Sequence, residues 1–309
     1  MDTHELLGRI TKLPIVADAL AEEMISGNFR SVFKGQGMEF EEARHYQWGD
    51  DAKAIDWNAS ARLGTPFIKV FREERELTIL LLLDTSASMK AGIANLWGNA
   101  KVLSPGLRPG LSPYEQALIA AALIAFSSER SGQRIGAFLF DSGINKVFPP
   151  RKGRRNILAF VSGALYYHRR QAGKGQGSNL KAAIAGAGRL LKRRSMVVLL
   201  SDFLGADWEH ELSDLSRRHD VIAVRVYDPK NMYLPKLGLL EAQDPETGLR
   251  IAVPANSASF RDAWAAWHKD RADLWQKQCR RAGASRLEIP VNEDAAKILS
   301  RFFTGRCGQ

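Results

Sequence analysis

Asp84, Ser86 and Ser88 stand at alternate positions where a run of leucines stops, in LTILLLLDTSASM, residues 77–89. A carboxylate and two hydroxyls are hard oxygen donors, the ligand type that suits Mg²⁺ and related cations. Two later segments carry the same chemistry. One is Gly177-Ser178-Asn179-Leu180; the other is Ser201-Asp202, directly after SMVVLL. Hydroxyl ligands bring no charge, so a cation held largely by them keeps residual positive charge and can accept a further carboxylate from outside. The candidate metal ligands are therefore Asp84, Ser86, Ser88, Ser178 and Asp202, with Mg²⁺ the first choice and Mn²⁺ or Ca²⁺ the alternatives. A plainer role stays open for each: the serines can cap a following turn, and the two aspartates can hold backbone N–H groups at a sheet edge.

These residues need a scaffold that brings three segments to one edge. Ile79 to Leu83 and Ser195 to Leu200 are apolar almost throughout, as strands buried on both faces are. Each is followed by a carboxylate, Asp84 and Asp202. In an open α/β sheet, ligands bind outside the carboxyl ends of the strands. The rest of the sequence from Leu77 alternates strand and helix. Helices are expected at Tyr114–Ser128 (with Ser112 as N-cap and Pro113 at N1), Arg155–Tyr166, Asn179–Leu191, Trp208–Arg217, Ser259–Arg281 and Asp294–Phe303. Further strands are expected at Arg134–Phe140, Lys146–Phe148 as a short edge, Val221–Val226 and Leu287–Ile289, with a β-hairpin inserted near 239–252. Such alternation implies an α/β fold, a doubly wound and mainly parallel sheet with helices on both faces. Residues 1–76 differ in texture: a helix at Pro14–Ile25, then small strands and loops with a strand at Pro66–Phe71. The expected division is thus 1–76 and 77–309. In the long helix, Phe260, Trp264, Trp267, Leu274 and Trp275 are expected to form a core-facing stripe. Arg44, Tyr46, Asp50, Asp51, Asp56 and Trp57 are expected to form a buried salt-bridge and turn network.

Composition narrows the class. The chain has 309 residues and a formal net charge of +10, enough length for a full core. Residues 1–14 lack an apolar signal-like stretch, and the longest apolar run, Ala117–Phe126, is too short to span a bilayer. Cys279 and Cys307, without CxxC spacing, point to a reducing compartment and away from a thiolate zinc site. A cytoplasmic protein is expected. The basic excess gathers at Arg151–Arg155, His168–Arg170 and Lys192–Arg194, read as solvated helix ends, since cations favour helix C-termini. Nucleic acid binding is the competing use of those clusters, and it would weaken steeply with salt. Enzyme signatures fit poorly. GKGQGS (173–178) lacks the lysine of a phosphate loop, and neither HExxH nor a GxSxG elbow is evident. A Mg²⁺-dependent phosphatase built on Asp84 as nucleophile would need a second aspartate where Ser86 stands.

The order DxSxS, then a hydroxyl in a second loop, then an aspartate in a third resembles the metal-ion-dependent adhesion site of von Willebrand factor type A domains. Asp84, Ser86, Ser88 and Asp202 match that pattern, and Ser178 stands where threonine is usual. The upstream segment GNFRSVFKGQGMEFEEARHYQWGDDAKAIDWNASARLGTPFIKVFREERE, with HDVIAVRVYDP and DPETG later, resembles the bacterial domain of unknown function 58 family. That resemblance covers roughly residues 5–305 and is weakest at 90–112, read as a long loop. It implies a non-enzymatic interaction module that binds a partner carboxylate through its metal. It further implies an adaptor or co-chaperone role beside a MoxR-type AAA+ ATPase or a client protein.

Overall fold

The computed structural model describes residues 13, 17, 20, 39–48, 50, 55–72, 77–90, 111–169, 177–234, 236 and 238–306. Two compact units divide the chain: residues 30–76, and residues 1–29 together with 77–309.

In the smaller unit, β1 (Glu39–His45), α1 (Trp57–Leu63) and β2 (Phe67–Arg72) form an antiparallel two-stranded ladder and one short helix. The helix lies where loops were expected. Asp56 caps it by accepting from the N–H groups of Asn58 and Ala59, and Gly64 ends it at φ 71°. Arg44 pairs with both oxygens of Asp50, at 2.9 and 2.8 Å, and Gln47 N–H donates to the same carboxylate. That part of the expected polar network forms, but not as a buried one: Arg44 is partly exposed and Trp57 is 72% exposed. Asp51 lies outside the described residues.

The larger unit runs β3 (Thr78–Asp84), α2 (Ala87–Lys90), α3 (Pro113–Arg130), β4 (Arg134–Phe140), β5 (Ile144–Arg151), α4 (Arg154–Arg169), α5 (Leu180–Leu190), β6 (Met196–Ser201), α6 (Glu209–Arg218) and β7 (Asp220–Tyr227). It continues with β8 (Leu239–Gln243), β9 (Arg250–Pro254), α7 (Ala258–Ala282), β10 (Ser285–Pro290) and α8 (Ala295–Gly305). The expected elements appear within a few residues of their sequence limits. Most of the helix expected at Pro14–Ile25 lies outside the described residues, but Leu13, Ala17 and Leu20 are helical and buried. The 90–112 segment also lies almost wholly outside them.

The sheet order is β10-β7-β6-β3-β4-β5, parallel except for β5, which pairs antiparallel with β4 at the edge. Strand alternation sorts the apolar runs to the two faces. Leu80 and Leu82 of β3, Val197 and Leu199 of β6, and Phe138 and Phe140 of β4 join a core with α5, α6 and the C-terminal half of α7. The other side of the sheet carries α3, whose capping box joins Ser112 and Glu115 and whose residues Pro113 to Ser128 are all buried. Burial on both sides accounts for strands that are apolar at every position.

Two sequence expectations need correction. Of the α7 stripe, only Trp275 is buried; Trp267 is 47% and Leu274 52% exposed, so most of that face does not serve the core. The cause is position: the N-terminal half of α7 runs beside the β8–β9 hairpin and lines a cavity. Arg151–Arg155 and Lys192–Arg194 are exposed, but Arg154 and Arg155 open α4 rather than close a helix.

Candidate metal-binding crevice

β3 leads outward to β4, and the chain later returns to place β6 on the opposite side of β3. The crevice between the carboxyl ends of β3 and β6 is therefore a topological switch point, where side chains from separate loops meet. Asp84 continues the Leu80–Leu82 column, and Ser201 continues Val197–Leu199, so both turn to the α5 face. Asp84, Ser86 and Ser201 are fully buried.

The Asp84 carboxylate is held from three directions. Its Oδ1 accepts from Ser86 N–H at 2.9 Å, and its Oδ2 accepts from Ser178 Oγ at 2.7 Å and Ser201 Oγ at 2.6 Å. The serines of the first loop meet each other, Ser86 Oγ to Ser88 Oγ at 3.1 Å. Ser88 is also within hydrogen-bonding reach of Asp202. The structure thus brings Asp84, Ser86, Ser88, Ser178 and Asp202 to one crevice.

Local structure fixes each loop. Asn179 caps α5 through Ala182 N–H, its own N–H donates to Asp141 O at 2.6 Å, and its side chain donates to Ser142 O. These bonds anchor Ser178 to the β4–β5 turn. After Ser201 the backbone turns sharply: Phe203 has φ 56°, a left-handed conformation uncommon for a bulky residue. That turn sends the Phe203 ring into the core against Trp208 and Trp275. Asp202 stays at the crevice, where its Oδ1 accepts from Leu204 N–H. Arg271 of α7 clamps the turn by donating to Phe203 O and Leu204 O. Gly205 is tightly placed, because a Cβ there would lie 3.0 Å from Ser178 O and the backbone would have to give by a few tenths of an ångström. The second and third loops are packed backbone against backbone.

Glu246, from the β8–β9 turn, was not among the sequence candidates. Its Oε2 lies 3.0 Å from where a Cβ on Gly177 would be, and it reaches the Ser88 hydroxyl. Nothing in the local sequence marks it, because its place depends on how the hairpin folds back. Ser201 was visible as a hydroxyl, but its bond to Asp84 follows only from the pairing of β3 with β6.

The charges in this crevice oppose one another. Burial, and then the neighbouring Asp202, push the Asp84 carboxyl up to about 6 against the pull of its three donors. Asp202 is raised by burial and by Glu246, with Ser88, Leu204 N–H and Arg271 opposing. Glu246 is raised by burial and by Asp244 and Asp84, with Ser88 opposing. Among the described residues, no group of three or more His, Cys, Asp or Glu side chains is arranged to hold a metal by itself. A cation here would depend on hydroxyl oxygens. The donor set fits that demand: serine and carboxylate oxygens, no nitrogen or sulfur, and carboxylates whose mutual repulsion a cation would relieve.

Beside the crevice lies a cavity of about 460 Å³, lined by Ser88, Asp202, Tyr227, Trp264, Trp267 and His268 among others. Two buried polar atoms in its wall lack a hydrogen-bond partner, Asn231 Oδ1 and His268 Nε2.

Fold and crevice define the class: a mixed α/β protein with a mostly parallel central sheet, helices on both sides, and an oxygen-rich crevice at its switch point. The chain belongs to the family described as protein of unknown function DUF58, whose model matches residues 42–273. Uncharacterized proteins of Mycobacterium tuberculosis and Mycobacterium bovis are 29% identical over 307 residues, which is 99% of this chain and 91% of theirs. An uncharacterized protein of Mycobacterium avium is 35% identical over 130 residues, 41% of this chain and 76% of its own. Among solved structures, the conserved hypothetical protein BatB of Bacteroides thetaiotaomicron aligns with a TM-score of 0.43 at 15% identity. The alignment covers 75% of this chain and 100% of that one. An aerotolerance-related membrane protein of Bacteroides fragilis aligns with a TM-score of 0.42 at 16% identity, covering 75% and 98%. Among the described residues of this chain, no helix is long and apolar enough to cross a membrane.

Proposed function

We propose that the chain is a von Willebrand factor type A-like interaction module, whose crevice holds a hard divalent cation and captures an acidic side chain of a partner protein. The observation that carries this reading is the setting of Asp84: fully buried at the end of β3, with both oxygens held by donors from three loops. Desolvating a carboxylate is costly unless its charge is answered. Ser86, Ser88 and Ser178 would supply neutral oxygens, and Asp202 a second carboxylate. A bound Mg²⁺, or Mn²⁺ or Ca²⁺ in its place, would supply an electrophilic centre able to accept one more anionic oxygen. The chain's own residues do the positioning: Ser201 and Ser178 orient Asp84, and Arg271 holds the loop that carries Asp202.

The family resemblance extends the reading to a partner, a MoxR-type AAA+ ATPase or a client protein that offers the carboxylate. The chain would then act as an adaptor or co-chaperone, without chemistry of its own. The test is capture of that ATPase by immobilised protein in Mg²⁺, in EDTA, and with Asp84→Ala, alongside calorimetric titration with Mg²⁺ and Mn²⁺. Capture and cation binding should both disappear in the variant while its melting stays cooperative. Equal capture in all three conditions overturns the reading.

A further inference from the structure

We propose that Glu246 is this chain's own carboxylate for the crevice, held there by the β8–β9 turn in the place a partner's acidic side chain would take. The inference rests on the cation reading above and specifies how that site is regulated: an incoming carboxylate competes with Glu246 instead of meeting an open site.

Geometry carries it in three parts. First, the approach is close. Glu246 Oε2 lies 3.0 Å from the position of a Cβ on Gly177, the residue before Ser178. Glu246 also reaches Ser88, whose single hydroxyl proton is shared among Asp202, Glu246 and Ser86 as possible acceptors. Second, the turn that presents Glu246 is tightly built. Asp244 Oδ1 accepts from Glu246 N–H at 3.0 Å, and its Oδ2 accepts from Thr247 Oγ1 at 2.6 Å. Gly248 N–H donates to Asp244 O at 2.8 Å, with Gly248 at φ 72°. None of these bonds uses the Glu246 side chain, which is left for the crevice. Third, the hairpin is separable from the main sheet. Among the described residues, β8 and β9 pair only with each other, and Leu239, Leu249 and Ile251 are exposed. A two-stranded hairpin has little stability of its own; buried Val253 anchors β9, which leaves the exposed turn as the part able to move.

The adjoining cavity gives a displaced turn a consequence. Its lining includes Asp244 and Pro245 of the turn as well as Ser88 and Asp202. Moving the turn would widen the way between crevice and cavity, with the unpartnered Asn231 Oδ1 and His268 Nε2 in the wall. A partner segment would then find a carboxylate site with an aromatic-lined recess next to it.

The experiment uses the full chain with Mn²⁺ as cation and N-acetylglutamate amide as carboxylate probe. Mn²⁺ binding is read by electron paramagnetic resonance, open coordination by water-proton relaxation, and probe binding by calorimetry on the Mn²⁺-loaded protein. Glu246→Gln removes the charge and keeps the shape. Gly177→Ala crowds the wild-type carboxylate by a few tenths of an ångström. Glu246→Gln should raise the water-proton relaxation of bound Mn²⁺ and tighten probe binding about tenfold or more, and Gly177→Ala should move both in the same direction by less. Unchanged relaxation and probe affinity in both variants, with normal Mn²⁺ binding, overturns the role of Glu246 and leaves the cation site standing. Failure of wild-type protein to bind Mn²⁺ overturns the cation reading and this inference with it.

Discussion

Ser201 Oγ donates to Asp84 Oδ2 at 2.6 Å, across the seam where β3 and β6 pair as parallel neighbours. The bond ties the first and third loops together beneath the crevice, and Phe203 N–H donates back to the same hydroxyl at 3.1 Å. Both serine and aspartate are fully buried, so neither has water to replace the other.

Ser201→Ala should therefore cost about 1–3 kcal/mol of stability, the range for stripping a donor from a buried acceptor. The shift in the urea midpoint with unchanged slope is the measurement. No shift would mean that Ser178 and Ser86 hold Asp84 unaided.

Much of this arrangement was legible in the sequence, because burial on both faces leaves a plain mark. Ile79 to Leu83 and Ser195 to Leu200 read as strands, and their ends located Asp84 and Asp202. The aromatic stripe of α7 misled, because helical periodicity reports a face but not what covers it. Trp264 and Trp267 face a cavity and solvent instead of the core. Glu246 was invisible for a related reason. Its role comes from a hairpin folding back over residues distant in sequence, and Asp-Pro-Glu-Thr-Gly announces a turn but not its destination.

Close packing of the second and third loops gives a second test. Gly205→Ala would place a methyl 3.0 Å from Ser178 O and 3.5 Å from Leu180 Cδ1. The carbonyl belongs to a backbone pinned through Asn179, so the loops must part. The cost should be about 1–3 kcal/mol, with Mn²⁺ affinity reduced at least tenfold. Gly143→Ala meets nothing within 4 Å, so its stability should stay within about 0.5 kcal/mol of wild type.

The pH dependence of the metal-free protein includes opposing trends, with Asp202 and Glu246 raised in the same direction as Asp84 and His219 lowered in the same direction as His268. Asp84 is raised to about 6, mainly by burial, so the folded state binds a proton that the unfolded state releases near its ordinary value. That contribution is present at low pH and is lost as pH rises from about 4 through 6. His268 is lowered to about 4 by burial, with Arg225 and Arg271 adding to it. Its contribution is present above about 6.5 and is lost as pH falls through 4. The two partly cancel in wild type. Asp84→Asn removes the first, so its stability should climb more steeply than wild type between pH 4.5 and 6.5, read from urea unfolding at each pH without divalent cations. Parallel profiles would contradict the assignment to Asp84. With Mn²⁺ present, wild-type affinity should rise with pH through about 6 as the carboxyl loses its proton.

Whether Asp84 grips or reacts can be decided directly. A nucleophilic aspartate must turn a free lone pair on an electrophile, and an acid–base partner must serve the leaving group. Here Oδ2 accepts two hydroxyls, Oδ1 accepts one backbone N–H and keeps a lone pair that a bound cation would take, and Ser86, not a second acid, stands two residues on. Every donor around Asp84 restrains it, and Glu246 covers the approach from the hairpin side. With Mg²⁺ or Mn²⁺, the purified protein should therefore release no phosphate from p-nitrophenyl phosphate or acetyl phosphate above the rate of protein-free controls, and Glu246→Gln should release none either. Turnover that vanishes in Asp84→Asn would make Asp84 a nucleophile and displace the binding role assigned to it.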